Sequence, residues 1–118
     1  MKYLLLMYAD TAQAPDMTSA EAQQAAQHEW VAFMQEAQQS GTLLANHGVA
    51  PGSTATTIRI RDGRTLTTDG PFAETHEQLA GFSLFECRDL DEAIRWATKI
   101  PTAKYGSVEI RPLWSPGQ

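Results

Sequence analysis

Asp69-Gly70-Pro71-Phe72-Ala73-Glu74 places two carboxylates and an aromatic ring around a forced bend. Pro71 fixes its own φ and restricts Gly70 before it. A carboxylate held on such a loop can act as a general base when burial raises its pKa. Asp69 is therefore the first catalytic candidate, with Gly70, Pro71, Phe72 and Glu74 forming a possible ligand rim. The same pattern also describes a plain turn, in which Asp69 accepts hydrogen bonds from its own turn amides. Phe72 reads more simply as a core or interface plug than as a substrate platform.

Two histidines and a tyrosine extend this set. His76 lies two residues beyond Glu74, beside Glu77, and an imidazole near carboxylates can serve as acid, base or metal ligand. A solvated loop histidine is the plainer alternative. His47, before Gly48, is placed to face the interior of a barrel, or else to sit partly buried on a backbone partner. Tyr105 can offer a phenol to a cleft, or pack with only its tip hydrogen-bonded. No regular metal-ligand spacing appears, and no cofactor is implied. There is no P-loop, dinucleotide fingerprint, Ser-His-Asp arrangement or paired-cysteine motif.

Other reactive types read as structural. Cys87 ends an apolar run and behaves as a small buried hydrophobe. His28 falls on the polar side of its helix, and Trp30 and Trp96 read as helix packing residues. Arg59, Arg61 and Arg64 can bind an anionic ligand or a partner, although arginines on an exposed hairpin also guard an edge against aggregation.

The elements that must position these residues follow from patterning. The 118 residues make one domain (1–118), 42% hydrophobic, with one cysteine and a net charge of −5. The acidic balance disfavours nucleic-acid binding. The single cysteine fits a reducing cytoplasm, and the six-residue apolar start is too short to span a membrane.

Tyr3–Tyr8 reads as a strand buried on both faces. Thr18-Ser19-Ala20-Glu21 matches a capping box and opens a helix to about Ser40, stopped by Gly41. Ala22, Ala26, Trp30, Phe33, Met34 and Ala37 form its apolar face. A shorter strand spans Thr42–Val49. A hairpin then turns around Asp62-Gly63. A three-residue loop, Arg61-Asp62-Gly63, is the expected form because it puts Ile58, Ile60 and Leu66 on one face; a two-residue loop sets Leu66 opposite Arg59. Leu79–Cys87 is a second doubly apolar strand. A helix follows from Asp89 to Pro101, with Leu90, Ala93, Ile94 and Ala97 inward. Ser107–Leu113 alternates as a final strand.

Without the hairpin the order is βαββαβ, a ferredoxin-like α+β pattern with the two doubly apolar strands central. Two helices cover one sheet face only. A second copy packed sheet against sheet, a homodimer, is the simplest cover for the other.

The stretch Asp69–Thr75 with Glu77-Gln78-Leu79, then Arg88–Ala93, Ile100-Pro101 and Lys104–Pro112, resembles the DGPF branch of the YCII-related family. The resemblance runs from Met1 to about Leu113. It implies a ferredoxin-like fold assembled as a dimeric α/β barrel. It further implies a small cytosolic enzyme using acid-base chemistry on a small organic molecule, or a non-catalytic ligand-binding or regulatory module tied to an extracytoplasmic-function sigma factor. A histidine-aspartate pair is proposed for the family. Its positions fall near Trp30 and on Ile100 here, so the pair is not matched, and His76 stands where lysine is common in the branch.

Overall fold

Alternation in the first strand sets the architecture. In a computed structural model, which describes residues 1–10, 12, 16–73 and 76–115, β1 spans Lys2–Asp10. Its odd positions Tyr3, Leu5 and Met7 are buried, and its even positions from Leu4 to Asp10 are half-buried. Successive side chains of a strand point to opposite faces, so only one face of β1 is fully covered within the subunit.

The covering helices are α1 (Ala20–Ser40) and α2 (Leu90–Lys99). The Ser19 hydroxyl accepts from the Ala22 amide at 3.0 Å, so the cap is Ser19 rather than Thr18, and the reciprocal capping box is replaced by a simple N-cap. Gly41 closes α1 in the left-handed conformation, with φ of 75°, as helix C-terminal glycines do. The six expected apolar positions of α1 are its only residues not exposed. Asp89 caps α2 by accepting from the Glu92 amide at 2.9 Å.

The remaining strands are β2 (Leu43–Gly48), β3 (Thr56–Arg61), β4 (Arg64–Asp69), β5 (Glu77–Glu86) and β6 (Gly106–Pro112). Four of them form an antiparallel sheet in the order β2-β5-β1-β6. This is the ferredoxin-like α+β arrangement, with the two doubly apolar strands β1 and β5 in the middle. The core joins Leu5 and Phe85 of the sheet to Phe33 and Ala37 of α1 and Ala93 and Ala97 of α2. Trp96 stacks on Phe85 at 5.1 Å between centroids and meets Phe33 edge-on; Trp30 meets Phe33 edge-on at 5.8 Å. Both tryptophans thus pack helices onto the sheet.

Two expectations are corrected. Leu90 and Ile94 are exposed, and α2 instead buries Ala93 and Ala97, with Trp96 half-buried. The large indole reaches Phe85 and rotates the helix toward it. The hairpin loop has two residues, not three: Arg61 pairs with Arg64, and Leu66 sits opposite Arg59. Asp62 and Gly63 both take positive φ, 53° and 74°, the backbone of a type I′ turn that Asp-Gly favours. Local turn chemistry outweighed the grouping of three apolar side chains, because none of the three finds a core: Ile58, Ile60 and Leu66 are all exposed.

Truncating Phe85 removes the ring on which Trp96 stacks. Phe85→Ala is expected to cost about 3–5 kcal/mol in urea unfolding, whereas Ser19→Ala, at an exposed cap, costs about 1 kcal/mol.

Candidate functional site

The Gly-Pro bend stands at the foot of the β3–β4 hairpin. Asp69 ends β4 opposite Thr56 and is exposed. Gly70 has φ of 97°, donates its amide to the Ala55 carbonyl at 2.7 Å and accepts from the Thr57 hydroxyl at 2.8 Å. Its positive φ is the reason a glycine precedes Pro71. Arg59 reaches the Phe72 carbonyl at 3.4 Å. The Phe72 ring is 80% exposed, so it is no core plug within this subunit. Glu74 lies outside the described residues. Glycine and proline therefore close the base of the hairpin, and Asp69 projects from it.

His76 immediately precedes β5 and is exposed at the rim of a cavity of about 590 Å³. Asp10, at the end of β1, and Ser53, in the 3-10 turn Gly52–Thr54, line the same cavity, with Val49 and Leu79 as apolar wall. Antiparallel pairing brings these groups together: Asp10 lies opposite Glu77, the residue after His76. Gly52 packs against the Gln78 side chain beside them, so a Cβ there would make the Gln78 amide shift.

A second, smaller cavity of about 220 Å³ lies between sheet and helices, lined by Met7, Trp30, Asn46, His47, Gly81 and Thr102 among others. Gly48 and Gly81 face each other across β2 and β5. A Cβ on Gly81 would approach the His47 carbonyl oxygen to 2.7 Å, so the strands close tightly there and leave a hollow. Asn46 accepts a short hydrogen bond from the buried Ser83 hydroxyl nearby. Trp30, near which the family's proposed histidine falls, lines this hollow. Ile100 is buried in the core.

The helix-free face of the sheet carries a constellation that linear patterning missed. Leu4, Leu6, Phe82 and Leu84 form its apolar strip, in register across β1 and β5. His47 pairs with Phe82, its ring 5.7 Å from the phenyl, so the imidazole stands on this face. On the other edge Tyr8 donates to Glu109 at 3.0 Å, and Arg111 donates to the second oxygen of Glu109 at 2.8 Å. Arg111 and then Tyr8 hold the Glu109 pKa below its ordinary value, whereas burial and the Glu109 hydrogen bond raise that of Tyr8. Glu109 and Arg111 show in the sequence only as the wetter side of the last strand. Tyr8 joins them through pairing of the two chain ends. Tyr105 is half-buried after the 3-10 turn Pro101–Lys104.

Cys87 follows β5 in the core. Burial, then the Glu92 charge, pushes its thiol from an ordinary 9.0 up to about 11. His28 is exposed on α1. Among the described residues no group of three or more His, Cys, Asp or Glu side chains is arranged to hold a metal ion. No helix among them is long and apolar enough to cross a membrane.

The raised thiol gives a signed pH effect. Between about pH 9 and 11 the unfolded chain has released the Cys87 proton and the folded chain keeps it, so stability falls as pH rises. Wild type minus Cys87→Ala should show this loss in urea midpoints above pH 9 and none below. A thiol reagent at pH 8 should label the folded protein far more slowly than the unfolded chain.

The sequence profile of the YCII-related domain matches residues 1–115. An uncharacterized protein of Rhizobium meliloti (strain 1021) is 36% identical over 122 residues, covering 100% of this chain and 98% of that protein. Match, relative and ferredoxin-like topology agree, and the chain belongs to the YCII-related domain family.

Proposed function

We propose that the protein is a small homodimeric enzyme that applies acid-base chemistry to a small organic molecule held at the β1–β5 end of the sheet. One observation carries the reading: His76, Asp10 and Ser53 line a single cavity of about 590 Å³ with an apolar wall. That combination of a few polar groups on an apolar surface is the usual make-up of a ligand site. His76 supplies a group that changes protonation near neutral pH, Asp10 a carboxylate to orient an imidazole or a substrate cation, and Ser53 a hydroxyl for substrate oxygen. His47 belongs to the same reading through the dimer, since a second sheet would enclose it beside Phe82. Asp69, with Gly70, Pro71 and Phe72, then forms an outer rim at the hairpin foot, and Tyr105 a reserve phenol. The apolar strip Leu4, Leu6, Phe82 and Leu84 supports the homodimer, because no helix of the subunit reaches it.

A cytoplasmic place suits the lone buried thiol. The second reading, a regulatory module of the DGPF kind acting on an extracytoplasmic-function sigma factor, draws on a different observation. Arg59, Arg61 and Arg64 share one face of the projecting hairpin, a surface suited to an acidic partner. Co-purification with a sigma factor, lost when the three arginines become serine, would favour it over the enzyme.

The enzyme reading predicts that a thermal-shift screen of small organic acids, amides and phenols finds a stabilising compound. At a hundred times its dissociation constant it adds about 2.7 kcal/mol to wild type. His76→Ala and Asp10→Asn should lose that gain while unfolding at an unchanged midpoint without ligand. A compound that stabilises all three proteins equally binds elsewhere.

A further inference from the structure

The β3–β4 hairpin has an unexplained face. Residues directly opposite in an antiparallel pair share a side, so Ile58, Ile60, Thr65 and Thr67 form one face and Arg59, Arg61, Arg64 and Leu66 the other. Ile58 is 56% and Ile60 65% exposed. The hairpin is a two-stranded sheet of its own and joins no edge of the larger one. An isolated two-stranded hairpin is marginally stable in water, and a β-branched face without cover adds to that weakness.

We propose that this Ile-Thr face is an arm that packs against a second copy of the chain, an inference that rests on the homodimer reading. Interface area is the argument for that occupant. Four strands about 4.8 Å apart and about seven residues long present a plan of roughly 440 Å². A stable interface takes about 800 Å² from each partner, so the helix-free sheet face by itself falls well short. One face of two six-residue strands adds roughly 190 Å² per subunit, and two-fold symmetry makes both arms contribute at once.

Sedimentation velocity over a dilution series tests the arm on the full chain. Ile58→Ser/Ile60→Ser should weaken the wild-type dimer at least about tenfold, with circular dichroism unchanged. Ile58→Val/Ile60→Val should leave it within about threefold of wild type. Hydrogen exchange of wild type gives a readout independent of the variants: β3 and β4 amides should be protected above the dimerisation midpoint and exchange freely below it. A serine variant that dimerises like wild type, or hairpin protection that ignores concentration, overturns the arm. A wild type that stays monomeric throughout overturns the homodimer reading itself, and the arm with it.

Discussion

A four-stranded sheet has two faces, and the two α-helices among the described residues both pack on one of them. The aromatic stack of Phe85, Trp96, Phe33 and Trp30 fastens those helices to the inner face. Everything laid on the outer face is then left to a partner or to water: the apolar strip of β1 and β5, His47 beside Phe82, and the Tyr8–Glu109–Arg111 group. The one-sided cover follows from chain length and connectivity, since both crossovers of the pattern lie on the same side.

The site candidates are distributed by the same constraint. Inside the helix-covered layer, the facing glycines Gly48 and Gly81 open a small hollow beside Met7, Trp30, Asn46 and Thr102, while the His47 imidazole stands on the opposite face against Phe82. At the sheet end, strand pairing gathers Asp10 and His76 around a larger cavity. The unmatched dyad fits this division. Trp30, near one dyad position, and Ile100, at the other, are packing residues, and Asp10 and His76 line a cavity elsewhere.

The Gly-Pro bend illustrates why a hallmark of sequence need not be a centre of chemistry. Gly70 takes a positive φ and ties the hairpin foot to Ala55 and Thr57. Its visible task is to close an excursion of the chain before β5 begins. Asp69 projects from that closure into solvent, with Phe72 beside it equally uncovered. Any chemistry at Asp69 needs a second surface to exclude water.

Local signals in the sequence determined the helices, the Gly41 and Asp89 caps, the doubly apolar strands and hence the ferredoxin-like order, because each rests on neighbours within a few residues. The Asp62-Gly63 turn was equally local, and its two-residue form prevailed because no core rewarded the alternative register. The rotation of α2 was not legible: Trp96 chose its place by stacking on Phe85, a partner on another element. Nor was the meeting of Tyr8 with Glu109, or the shared cavity of Asp10 and His76, since each brings together residues far apart in the chain. The sequence alone decided which segments fold and that one sheet face lacks a helix. Only the tertiary structure decided which polar groups share a cavity, because strand register, not residue type, brings them together.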